Sequence, residues 1–395
     1  MHDERPSVIA SICMHVVIDG RVLTHRFPGI GRYVSQLTPA LTEVADGDRV
    51  TVITVPNRAA SSDGTGSLVG VPAVTLVPAS AGIWSPSAQW RLPRILRSTG
   101  ADVYHATYWA MPYRPGVPTV LSIYDLIGLH VAGSLPAGRS LALRIALRLA
   151  LRSSARVLTL SEWSKQDLVR TLSIPPERIT VTPLAADARF SPASAASADA
   201  LRERFGLSRP YVLYVGINKP HKNLSTLVRA WAQARARLWP GGRAETEALL
   251  AIAGPWDPRY PEARELAEEL APSAVRFLGR VPDADLPALY ASALAFAFPS
   301  KHEGFGLPPL EAMASGTPVI AADATSLPEV IGDAGLLVSA GDVNAWSAAL
   351  ERLVLDGGLR RSLAGKGLSR ARAFTWKRTA ELTREAYLAT ALERG

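Results

Sequence analysis

Short apolar runs rich in Val, Ile and Leu alternate with longer stretches of helical periodicity along almost the whole chain. No other feature narrows the possible folds as much. Strands buried on both faces read as near-continuous apolar runs, and one parallel strand reaches the next only through a long crossover, usually a helix. The pattern predicts an α/β protein. In the first half the strand candidates are residues 16–19, 50–55, 103–105, 119–123 and 157–160. In the second half they are 211–215, 249–253, 275–278, 295–298, 319–321 and 336–338.

A chain of 395 residues is longer than one hydrophobic core usually serves. Two doubly wound, Rossmann-like domains are therefore expected. Residues 190–200, small and containing Pro and Ser, read as a linker leading into a helix. Met14 stands just before the first apolar run, so residues 1–13 are expected to be a disordered extension. The predicted division is a first domain over 14–195, a second over 196–370, and a final helix over 371–395 packing back toward the first. Ligands of such sheets bind beyond the carboxyl ends of the strands, which points to the cleft between the domains.

One cysteine, Cys13, excludes an internal disulfide framework and a Cys-based metal site, and fits a reducing compartment. It is expected to be a buried small side chain. No apolar run approaches the roughly 20 residues that span a bilayer, and the first residues are charged, so a soluble, cytoplasmic protein is expected. The net charge of +8 is uneven: residues 1–195 hold 19 Lys and Arg against 13 Asp and Glu. Such a bias suits an anionic partner, for example a membrane surface, although a solvated face also explains it. No nucleic-acid motif accompanies the charge, and none is expected to bind.

The most specific local signal is the segment from Ser300 to Gly316. It follows a strand, passes through a Gly-containing loop and opens a helix whose prolines, Pro308 and Pro309, suit the first turn. The amides of Gly304, Phe305, Gly306 and Leu307 are placed to meet a phosphate at the positive helix end. Glu303 precedes them and Glu311 lies about one turn into the helix. Two carboxylates so spaced can accept hydrogen bonds from hydroxyls at opposite ends of one elongated ligand, such as a sugar and a ribose.

This segment resembles the E-x(7)-E motif of retaining glycosyltransferases of family 4. Gly29 to Tyr33, Val157 to Ser164, Val215 to Asn223, Val275 to Pro282 and Phe374 to Trp376 match in order and spacing. The resemblance runs from about Met14 to Tyr387. It implies the two-domain GT-B fold with an interdomain cleft, a nucleotide-sugar donor held mostly by the second domain, and no required metal or cofactor. Within it, Lys222 matches the diphosphate-binding lysine. His221 stands where related sequences often have arginine, and Gly216 ends the preceding strand. Gly31 matches a loop that closes over the donor diphosphate.

Read on its own, Gly29 to Tyr33 precedes a helix and offers amides there, but Val34 replaces the third glycine of a dinucleotide fingerprint. Asp125, at the end of the strand 119–123, is a candidate to orient an acceptor hydroxyl. Family members commonly have His-Asp here and this chain has Tyr124-Asp125, so His105 and Tyr124 are the two candidates for the missing sugar contact.

Arg139, Arg144, Arg148, Arg152 and Arg156 punctuate a Leu- and Ala-rich stretch that reads either as a basic membrane-surface helix or as a sheet-covering helix with its charges in water. Trp84, Trp90, Arg91, Arg94 and Arg97 are possible additions to that surface. The expected activity is transfer of a hexose, mannose first, to a glycan or lipid-linked acceptor. A sugar-nucleotide epimerase and a catalytically silent sugar-binding protein are the competing readings.

Overall fold

The computed structural model describes residues 13–24, 26–44, 47–55, 68–131, 139–192, 195–240 and 247–393. The expected extension over 1–13 lies outside them, except for Cys13, which is exposed rather than buried. The chain forms two compact units, residues 1–184 with 375–395, and residues 185–374. Among the described residues no helix is long and apolar enough to cross a membrane.

The first unit is built on seven parallel strands: β1 (His15–Asp19), β2 (Arg49–Thr54), β3 (Val74–Pro78), β4 (Val103–Ala106), β5 (Thr119–Ser122), β6 (Arg156–Thr159) and β7 (Ile179–Val181). Their order is β3-β2-β1-β4-β5-β6-β7. Helices α1 (Pro28–Val44), α2 (Ala88–Thr99), α3 (Ile127–His130), α4 (Arg139–Arg152) and α5 (Glu162–Leu172) connect them. Strands β3 and β7 were not legible in the sequence. β3 is an edge strand with no fully buried residue, and β7 is three residues long, so neither leaves a long apolar run. Arg156 falls in β6 rather than on α4, where the other arginines of that stretch lie.

The inner faces of α2, α4 and α5 share one core with the sheet, through Leu92 and Leu96, Leu147 and Leu151, and Leu168 against Val17, Tyr104 and Leu121. The opposite face of the sheet receives α1 and the chain's final helix. That helix starts at a Thr375 cap whose side chain accepts from the Arg378 amide, as Ser161 does for the Ser164 amide at α5. Two of the recognised sequence landmarks are thus helix caps.

The second unit has six parallel strands: β8 (Tyr211–Val215), β9 (Leu249–Ala253), β10 (Val275–Gly279), β11 (Ala295–Phe298), β12 (Val319–Ala322) and β13 (Gly335–Val338). They run in the order β10-β9-β8-β11-β12-β13. Its helices are α6 (Ala195–Phe205), α7 (Leu224–Leu238), α8 (Glu262–Leu270), α9 (Leu286–Ala291), α10 (Leu307–Ala314), α11 (Leu327–Ile331), α12 (Val343–Leu355) and α13 (Gly357–Arg372). The final helix, α14 (Trp376–Leu392), belongs to the first unit. Phe190, in the stretch read as a linker, is buried with its ring edge-on to Tyr290 at 5.7 Å. Phe190 is therefore part of the second unit's core, while Ser191 and Pro192 after it are exposed.

Candidate active site

In each sheet the strand order reverses once, between β1 and β4 in the first unit and between β8 and β11 in the second. Such switch points open a crevice beyond the strand ends, because the loops on either side lead to opposite faces. In the second unit the two loops are residues 216–223 after β8 and 299–306 after β11. Backbone and side chains sew them together. The His221 carbonyl accepts from the Lys301 amide (2.8 Å) and the Ser300 hydroxyl (3.2 Å), and the Asn223 amide group donates to the Pro299 carbonyl at 3.1 Å.

On this frame Lys222 Nζ donates to Glu303 Oε1 at 2.5 Å and sits 5.3 Å from the centre of the Phe298 ring. Both side chains are mostly screened, at 17% and 12% exposure, so the ion pair keeps more of its strength than one in open solvent. The Glu303 amide donates to Thr325 Oγ1 at 3.0 Å. The Ser326 hydroxyl reaches both the Glu303 and Phe305 carbonyls, at 3.0 and 2.8 Å. The Glu303 backbone is thereby held from the loop after β12, a support that sequence reasoning missed although Thr325 and Ser326 follow a predicted strand end.

Two glycines shape the crevice. Gly306 caps α10 with φ of +117°, and a Cβ there would lie 2.8 Å from Leu327 Cδ2. Gly254 has φ of +138°, and a Cβ there would lie 2.2 Å from the Gly216 carbonyl oxygen. The ends of β8 and β9 come together backbone to backbone at Gly216 and Gly254, which is why a side chain cannot stand at Gly254.

His221 is largely buried, and burial first, then the Lys222 ammonium, lowers its pKa to about 4. It is a neutral imidazole at physiological pH and brings no second positive charge. Phe305 is buried with its ring edge-on to Phe374, so its side chain is core, while Gly304, Gly306 and Leu307 line the start of α10. Glu311 is buried within α10 and accepts from the Tyr290 hydroxyl at 3.2 Å.

The residues proposed from the first half fare differently. Gly29 to Tyr33 lies inside α1, which begins at Pro28, rather than before it, and the Gly31 amide donates to the Phe27 carbonyl at 2.7 Å. That amide is spent on the first helical turn. His105 is fully buried, with Nε2 2.8 Å from Ser122 Oγ and Nδ1 2.7 Å from the Tyr387 hydroxyl of α14. Burial lowers its pKa to about 3. It is a neutral strut between sheet and helix, with both ring nitrogens occupied by partners inside the unit. The Tyr124 hydroxyl donates to the Thr107 carbonyl at 2.9 Å. Asp125 is exposed after β5, with Oδ1 accepting from the Ile127 amide at 3.0 Å.

Residues 28–185 match the model of the glycosyl transferase 4-like domain, and residues 198–370 match that of glycosyl transferases group 1. The chain is 33% identical over 300 residues to the O-antigen chain mannosyltransferase B of Escherichia coli, covering 74% of this chain and 75% of that protein. It is 31% identical over 416 residues to the D-inositol 3-phosphate glycosyltransferase of Saccharomonospora viridis, covering 97% and 94%. Among solved structures, Anabaena HepE in complex with UDP-glucose has a TM-score of 0.73 at 19% identity, covering 97% of this chain and 100% of that one. WaaG, a glycosyltransferase of lipopolysaccharide biosynthesis, has 0.67 at 19%, covering 94% and 99%. With two parallel-sheet units of the GT-B type, the chain belongs to the family 4 glycosyltransferases.

Proposed function

We propose that the enzyme moves a mannosyl group from a nucleoside diphosphate sugar, GDP-mannose first, to a glycan or lipid-linked sugar, with retention of anomeric configuration. The observation that carries this reading is the Lys222–Glu303 pair, held at the switch point of the second sheet beside the start of α10. Glu303 accepts hydrogen bonds from sugar hydroxyls. Lys222 and the amides of Gly306 and Leu307 compensate the charge that grows on the departing diphosphate, with no metal called for. The bond from anomeric carbon to diphosphate breaks as the acceptor oxygen attacks from the same face, and a departing phosphate oxygen takes the acceptor proton. Asp125 orients that acceptor. Similarity to a mannosyltransferase supports the sugar.

The proposal extends to an anionic membrane surface as the place of work. Leu141, Ile145 and Leu149 stand exposed in one row along α4, flanked by exposed Arg144, Arg148 and Arg152. The neighbouring α2 presents Trp90, Arg91, Arg94 and Arg97, also exposed. Tyr113 ties α2 to the turn that ends α4, its amide donating to Gln89 and its carbonyl accepting from Ser153. Neither helix carries a carboxylate. An apolar row between cations suits anionic headgroups better than bulk water.

The test is a screen of GDP-mannose, UDP-glucose and UDP-N-acetylglucosamine by thermal stabilisation, followed by NMR of the product anomer. GDP-mannose should raise Tm by mass action, and the Lys222→Ala and Glu303→Gln variants should blunt the rise. A β-linked product from an α-linked donor would overturn the mechanism, and no response to any nucleotide sugar would overturn the site.

A further inference from the structure

The first unit has its own switch point, and what stands over it is aromatic. Phe27, after β1, lies 5.3 Å from Tyr108 and 6.4 Å from Trp84, ring centre to ring centre. Trp84, after β3, meets Tyr108 at 5.8 Å and Trp109 at 5.3 Å, nearly perpendicular to the first. Of these rings, Phe27 and Trp84 line a cleft of about 430 Å³ beyond the ends of β1, β2 and β3, with Arg21, Thr24, Arg26 and Ser85 around it. The size falls within the ~300–1,000 Å³ usual for small-ligand sites. Trp84 lines this cleft and is 53% exposed.

The floor is rigid. Arg21 is almost wholly buried and grips the Asp19 carboxylate with two hydrogen bonds, at 2.8 and 2.7 Å, while the Tyr104 hydroxyl donates to the same carboxylate at 2.8 Å. Its guanidinium also reaches the Gly82 and Ala110 carbonyls, both at 3.2 Å, so the loops after β1, β3 and β4 are locked to one another. Beside this floor the Thr24 hydroxyl is enclosed and has no hydrogen-bond partner among the described residues. A buried hydroxyl without a partner costs free energy unless a ligand or water satisfies it. Burial first, and then the charge of Asp125, push the Tyr108 phenol up to about 12.

We infer that this cradle binds a sugar ring of the acceptor glycan, stacking its C–H-rich face on Trp84 and Phe27 and meeting its hydroxyls with Thr24 and Ser85. A flat apolar partner would use the exposed indole and leave the Thr24 hydroxyl unmet. A pyranose matches both, being apolar on its face and rich in donors at its rim. The inference rests on the glycosyl-transfer reading and adds to it an acceptor subsite outside the donor machinery.

The experiment uses the full chain labelled with 5-fluorotryptophan, with the Trp84 resonance assigned from Trp84→Phe. Mannotriose and maltotriose serve as acceptor probes, GDP-mannose as donor probe, and phosphatidylglycerol vesicles as membrane probe. At least one trisaccharide should shift the Trp84 resonance. Phe27→Ala and Thr24→Val should each weaken that binding about 3- to 10-fold, the scale of one aromatic contact or one satisfied hydroxyl. Donor binding is read in the same samples from thermal stabilisation. If GDP-mannose stabilises the protein and neither trisaccharide moves Trp84, the cradle assignment alone is wrong. If no nucleotide sugar binds, the glycosyl-transfer reading fails instead. A Trp84 shift with vesicles and none with sugars would reassign this face to the membrane.

Discussion

Lys222 and Glu303 stand 81 positions apart in the sequence and 2.5 Å apart in space, each serving as the other's counter-ion at the mouth of the second sheet. In the proposed reaction a donor diphosphate competes with Glu303 for the ammonium, while the donor sugar offers Glu303 hydroxyls in exchange. Binding is therefore a swap of partners rather than the filling of an empty charge. Lys222→Ala should lower kcat by about 10²- to 10³-fold, the range for losing one preorganised charge-stabilising donor. Lys222→Arg should recover part of it. Steady-state kinetics on both variants check this, and a Lys222→Ala variant with wild-type kcat would remove Lys222 from the reaction.

His105 and His221 are both held below the ordinary imidazole range, at about 3 and about 4, chiefly by burial. The unfolded chain binds protons at these positions near pH 6.5, and the folded chain does so only well below it. The stability they represent is present above about pH 6.5 and is lost as pH falls toward 4 and 3. Thermal melts between pH 8 and 4 should show Tm falling below pH 6.5, with a shallower fall in His105→Gln and His221→Gln. A His221→Gln variant should keep the acid limb of its kcat/KM profile, since this imidazole does not titrate in the working range.

Gly254→Ala places a methyl 2.2 Å from the Gly216 carbonyl oxygen, a contact that only a backbone shift relieves. The variant should lose on the order of 1–3 kcal/mol of stability. It should also lose donor affinity, because the loop carrying His221 and Lys222 begins at Gly216. Denaturant unfolding and donor titration measure the two losses separately.

Much of this was legible beforehand, and what was not has physical reasons. Tyr211–Val215, Leu249–Ala253 and Ala295–Phe298 are strands at the limits read from sequence, because a fully buried strand must be apolar throughout and its neighbours are not. β3 gave no such signal, since an edge strand buries too little to need one. His105 looked available because its position at a strand end says nothing about what a helix 282 residues later brings to it. Gly31 was misplaced because Pro28 can open a helix as readily as end a loop. Trp84 gave no hint of Phe27 and Tyr108, which the sheet order alone brings to it.

The exposed row on α4 yields a surface prediction. Arg144→Glu with Arg148→Glu should cut binding to phosphatidylglycerol vesicles by 10-fold or more, since each cation near such a surface contributes about 1 kcal/mol. The melting temperature should change little, as both side chains are exposed. Co-sedimentation at low and high salt reads the effect. Wild-type protein that stays in the supernatant at low salt would end the membrane proposal.

Tyr387→Phe removes the 2.7 Å hydrogen bond to His105 and leaves a buried ring nitrogen unpaired, at a cost of about 1–3 kcal/mol. The loss should appear in the melting of the first unit.

The same contact has a temporal side. Helix α14 completes the sheet face of the first unit, through Tyr387 on His105 and Arg384 on Asp48 at 2.8 Å, yet it is made after the whole second unit. On the ribosome the second unit, continuous from residue 185 to 374, has its full complement of residues while the first still lacks a wall. The order of synthesis and the order of completion are inverted. Until residues 376–392 have been made, the apolar face of α1 that packs on this helix has no cover.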